Sequence, residues 1–152
     1  MGMFYSVDPG KKQSAVACFK NGELIAAYFA HQTSIKLTDE KLRGEVVMEV
    51  PVVYPGSDTN PNDLVDITAA GMGVAAQLSL PLTRIRQVKP AEWKGQVPKK
   101  ITQQRIERLL TQAERIRLGQ CLSPVKSGLR HNLWDAVGIG LFALKRAKRG
   151  LA

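Results

Sequence analysis

Short apolar runs and turn signals alternate over the first thirty residues. Met3 to Val7 is apolar and β-prone and ends in a carboxylate, Asp8, with Pro9-Gly10 directly after it. Side chains alternate along a strand, so Phe4, Ser6 and Asp8 share one face. Gln13 to Phe19 alternates weakly, Asn21-Gly22 is a type I′ hairpin signal, and Glu23 to Ala30 returns as a third strand. The pattern predicts an antiparallel meander beginning with the Asp8 strand. His31 to Gly44 is a polar connection with room for a short helix around Leu37 to Leu42. Glu45 to Pro51 is rich in Val and continuously apolar, the pattern of a central, buried fourth strand.

Helical spacing dominates the rest. Tyr54 to Asn62 is a loop by composition, and Asn62 is a candidate N-cap for a helix to Leu78 with Asp63 and Asp66 near its start. Leu82 to Val88 predicts a fifth strand, and Lys89 to Lys100 a basic loop. Ile101 to Leu118 predicts one amphipathic helix, apolar at Ile106, Leu109, Leu110, Ala113 and Ile116. A final helix is expected from Asn132 to about Lys148. Strands first, then helices mixed with strands, give an α/β layer architecture: a mixed five-stranded sheet flanked by helices.

The 152 residues suit one domain spanning the whole chain, 1–152. Twenty-two Lys and Arg against thirteen Asp and Glu leave a formal charge of +9, which points to a polyanionic partner. Cys18 and Cys121 show no CxxC spacing and suit buried thiols in a reducing compartment. Met1-Gly2-Met3 lacks a basic start and a long apolar run, and no stretch of 18 or more uncharged apolar residues exists. A cytoplasmic protein with no membrane partner is expected.

Against this basic background three acids fall in apolar elements. Asp8 ends the first strand, Glu49 lies within the most apolar strand, and Asp135 lies in Trp134 to Phe142, the most apolar helix. Each has a plain structural alternative: a turn for Asp8, a solvent-facing strand end for Glu49, a favourable helix dipole for Asp135. One explanation covers all three, convergence on divalent cations. Mg²⁺ prefers oxygen ligands and takes few carboxylates, and a pair of ions can clamp the attacking and leaving oxygens of a phosphodiester. Gly138 lowers helix propensity beside Asp135 and suggests a close approach of that helix to something.

Ser6-Val7-Asp8-Pro9-Gly10, Glu49 after a β run, and His131-Asn132-Leu133-Trp134-Asp135-Ala136 together resemble RuvC-type Holliday junction resolvases of the RNase H-like (retroviral integrase) superfamily. The likeness runs through nearly the whole chain in element order. It implies an RNase H-like fold and a homodimeric, metal-dependent endonuclease that cuts two strands of a four-way DNA junction symmetrically. The reduced motifs suggest a phage-type or other stand-alone member, in bacterial or phage-infected host cytoplasm. It also implies Asp8, Glu49 and Asp135 as catalytic metal ligands, with two Mg²⁺ per site and Mn²⁺ able to substitute. The family usually places an acid or a His three residues before the last Asp. Here that residue is Asn132, with His131 one earlier, so either one is a candidate fourth ligand.

Lys89, Lys94, Lys99, Lys100 and Arg105 bracket Trp93, and Glu92 to Lys100 loosely resembles a Lys- and Gly-containing segment of the family. Lysines there suit phosphate contact. Tyr54 resembles in placement the family's junction-probing aromatic, able to stack on an unpaired base, although a plain loop tyrosine accounts for it equally. Two rival readings remain: another RNase H-like nuclease acting on branched DNA or RNA–DNA hybrids, and a non-catalytic DNA-binding dimer of the same fold.

Overall fold

The computed structural model describes residues 2–33 and 40–146. Five strands form one sheet in the order β3-β2-β1-β4-β5. β1 (Met3–Asp8), β2 (Ser14–Lys20) and β3 (Glu23–Ala30) make the expected antiparallel meander. Asn21 and Gly22 both take positive φ, 53° and 80°, as a type I′ turn requires, which is why Asn-Gly is legible in the sequence. β4 (Gly44–Glu49) pairs parallel to β1, and β5 (Arg86–Val88) pairs parallel to β4 at the sheet edge. This is the mixed five-stranded α/β sheet that the sequence predicts.

Helices cover both faces. α1 (Pro61–Leu78) packs on β1 and β4, where Val7, Val16, Met48, Val74 and Leu78 form one buried cluster. On the other face α5 (Arg130–Ala143) lies across β1 and β2, with α3 (Lys99–Leu109) and α4 (Gln112–Leu122) beside it. Phe19, Leu24, Trp93, Ile106, Leu118 and Ile139 fill that second core. α2 (Pro90–Trp93) is a single turn within the stretch expected to be a basic loop.

Several boundaries differ from expectation, each for a local reason. The predicted helix from Ile101 to Leu118 is two helices. Leu110 is extended (ψ 142°), and Thr111 starts α4 through a capping box in which its side chain accepts from the Glu114 backbone N–H while Glu114 bonds back. A Thr-x-x-Glu signal outweighs continuous apolar spacing. Ile116, assigned to the apolar stripe, is consequently 56% exposed. α1 is capped by Asn60 rather than Asn62, because Pro61 is preset for the first helical position and the Asn60 side chain accepts from Asn62 N. The fifth strand is shorter than predicted, and the last helix ends at Ala143. A 3-10 turn at Glu40–Leu42 meets the end of the short helix expected there; 37–39, and Lys148 at the end of the last helix, lie outside the described residues.

Candidate active site

β1 and β4 run parallel, and the register pairs Val7 with Met48. The next residue on each strand is a carboxylate, so Asp8 and Glu49 stand side by side at the carboxyl ends of neighbouring strands. That edge is where open α/β sheets place ligands. The third acid, Asp135, arrives from α5. Ser6 on the Asp8 face donates its buried hydroxyl to the Ala136 carbonyl at 2.6 Å and so ties α5 to β1 one residue from Asp135.

Glycine lets α5 come this close. A Cβ at Gly138 would lie 2.5 Å from Trp93 Cζ3, and one at Gly140 would lie 2.3 Å from Phe19 Cε2. The close approach inferred from Gly138 is therefore real, and its object is the Trp93 ring. Trp93 is completely buried, and its indole N–H donates to Glu49 Oε2 at 2.5 Å. The sequence signal for that role was slight, a lone Trp among lysines.

Lys94 is the cation of the cluster. Its Nζ lies 4.0 Å from Glu49 Oε2 and 3.8 Å from Asp135 Oδ2, and 5.1 Å from the centre of the Trp93 ring. The carboxylates are 12% and 17% exposed, so the pair interactions operate largely out of water. Burial pushes the Asp8 carboxyl well above its ordinary range, and the charges of Glu49 and then Asp135 push it further against the pull of Lys94 and Lys99. Burial also raises Glu49, opposed by Lys94 and the Trp93 N–H, with Asp135 adding to the rise. Asp135 is raised by burial and pulled back by Lys94, His131 and Lys99.

The structure thus brings Asp8, Glu49 and Asp135 into one electrostatic group, with His131 within its field and Asn132 half-buried on the same turn of α5. Among the described residues no three His, Cys, Asp or Glu side chains close to metal-ligand distance, and Lys94 is the positive partner in the arrangement seen. Carboxylate oxygens are the donor type that a hard divalent cation takes, and here three carboxyls lie within one another's field.

The nucleic-acid candidates divide. Lys99 and Lys100 are exposed at the start of α3, and Tyr54 is 53% exposed in the loop after β4. Arg105 is half-buried on α3. Lys94 is drawn inward to the acids. Cys18 is buried, Cys121 is partly so, and both are free thiols. Among the described residues no helix is long and apolar enough to cross a membrane.

No protein-family model and no curated protein matches the sequence. Among solved structures, the chain is similar to RuvC of T. thermophilus in complex with a Holliday junction substrate, with 13% identity over 93% of each chain and a TM-score of 0.47. It is also similar to a Thermus thermophilus RuvC structure, at 13% identity over 96% of this chain and 98% of the other, with a TM-score of 0.39.

Proposed function

We propose that the chain is a RuvC-type nuclease, a homodimer of one 1–152 domain that resolves four-way DNA junctions by paired, symmetric cleavage. The observation that carries this reading is the side-by-side placement of Asp8 and Glu49 at the ends of parallel strands, with Asp135 delivered by α5. Mutually repelling, partly buried acids in a chain of net charge +9 suit a site that meets both a cation and a polyanion.

Asp8, Glu49 and Asp135 would hold Mg²⁺ or Mn²⁺, two ions per site, with Asn132 or His131 as a further donor. Such ions, when bound, neutralise the phosphate and assist attack on it. The protein's own residues prepare the place. Trp93 holds one Glu49 oxygen in a fixed direction, and Ser6 holds the turn of α5 that carries Asp135. Lys94 balances the acids and stands where it can pass to a phosphate oxygen as DNA enters. Lys99, Lys100 and Arg105 suit the flanking backbone, and exposed Tyr54 suits stacking at the crossover.

The test is a cleavage panel with Mg²⁺ on four-way junctions, flaps, RNA–DNA hybrids and plain duplex. Paired nicks at symmetric positions in the junction are expected. Faster cutting of hybrids or flaps would transfer the site to another RNase H-like nuclease. Junction binding with no cleavage at any metal concentration would leave only a DNA-binding dimer.

A further inference from the structure

The sheet has an open edge at β5, and a second basic surface lies along it. A cleft of about 530 Å³ runs between β5 and the start of α2, lined by Arg84, Arg86 and Lys89 with a single acid, Glu92. That acid is already engaged, because its Oε2 accepts from the Lys89 backbone N–H at 2.5 Å. Arg84 and Arg86 are exposed. Arg86 Nη1 reaches the Ala143 carbonyl at 3.4 Å, long for a hydrogen bond, and a guanidinium carries five donors.

One wall of the cleft adjoins an acid of the site in the chain. Val50 lines it, directly follows Glu49 in the chain, and bonds through its N–H to the Val88 carbonyl at 2.7 Å. A strand laid along β5 would therefore lead to Glu49. Val50 and Val88 give the cleft an apolar floor, and Arg84, Arg86 and Lys89 add three cations against one acid, an excess of positive charge that suits an anion. Planar guanidinium forks match phosphate oxygens in pairs.

We propose that this cleft binds the sugar–phosphate backbone of a nucleic-acid strand through Arg84 and Arg86, as an anchor distinct from Lys99 and Lys100. The choice of nucleic acid rests on the function proposed above. The experiment is junction binding by fluorescence anisotropy in EDTA over a range of salt, comparing the parent with the Arg84→Ala/Arg86→Ala double variant. The slope of log affinity against log salt should shrink by about two units. Arg84→Lys/Arg86→Lys keeps the charge and should keep the slope, and thermal melts of both variants confirm folding. An unchanged slope in a folded alanine variant would overturn the cleft while the steep parental slope upheld DNA binding. A parent with no salt-dependent DNA binding would overturn both. Titration with a deoxynucleoside monophosphate separates the remaining source of phosphate. Saturable micromolar binding lost in the alanine variant would assign the cleft to a free nucleotide and overturn the polymer.

Discussion

Glu114 and the group formed by Asp8, Glu49 and Asp135 are acids subject to the same first force, burial, which pushes each of them up. At Glu114 the push is overcome. Arg146 forks onto both carboxylate oxygens at 2.7 Å, and the backbone N–H groups of Leu24 and Thr111 donate at 2.7 and 3.0 Å. The Glu114 pKa falls to about 2. Arg146 also donates to the Gly22 and Leu109 carbonyls, so this acid fastens the β2–β3 hairpin, the end of α3 and the start of α4 to the segment after α5. At the strand ends one half-buried lysine serves two carboxylates, and like charge raises Asp8 further. A buried acid with every oxygen satisfied is architecture. The strand-end acids repel one another and share a single lysine, and the function proposed for the chain draws on that difference.

The sharpest test of that contrast is Asp8→Asn, with the largest effect expected. Cleavage should fall by at least about a thousandfold, or ~4 kcal/mol of transition-state stabilisation. The same change should raise the melting temperature at neutral pH. A carboxyl whose folded pKa is raised stabilises the fold only while protonated, and that contribution is lost as pH rises through the folded value, so removing the charge relieves the penalty. Parent-like cutting, or a melt that drops at pH 7, would break the comparison.

Glu114→Gln is the mirror experiment. It should lower stability by about 3 kcal/mol, because Arg146 is left without its counter-charge in a mostly buried setting. The loss should be full above the ordinary carboxyl value of 4.5 and should shrink as the pH falls toward 2, where the parental Glu114 protonates. Denaturant melts of parent and variant across that window measure it. A constant difference at all pH values would show that shape, not charge, is what Glu114 contributes.

A smaller effect is expected from Gly138→Ala. The new methyl meets Trp93 Cζ3 and Ile106 Cδ1 inside 3 Å, an overpacking cost of roughly 1–3 kcal/mol. Because Trp93 also holds Glu49, cleavage should fall more than the stability loss alone accounts for. A stability loss with unaltered turnover of the folded fraction would separate Trp93 from the function of Glu49.

The meander, the Asn21-Gly22 turn, the Val-rich inner strand and α1 follow from patterns a few residues long, and so they were readable. Asp8, Glu49 and Asp135 were readable as candidates because charge inside an apolar run is costly and invites a reason. The break at Leu110 and Thr111 is harder to read, because apolar helical spacing continues across it and only the local Thr-x-x-Glu cap marks the new start. The start of α1 is ambiguous in the same way, since Asn60 and Asn62 carry the same capping chemistry and only Pro61 points to the first of them.

Sequence alone determined which short segments become strands and helices, since periodicity and turn chemistry act between near neighbours. Tertiary structure decided everything that depends on parallel pairing and helix approach. The register that sets Asp8 beside Glu49 joins residues forty-one positions apart (49 − 8). Placing the Trp93 indole on Glu49, and Lys94 between Glu49 and Asp135, requires α5 to lie within a glycine's reach of α2. The pairing of Glu114 with Arg146 likewise forms only when the segment after α5 returns to the start of α4. Burial and charge at a point in space are sums over elements distant in the chain, and no window along the sequence contains them.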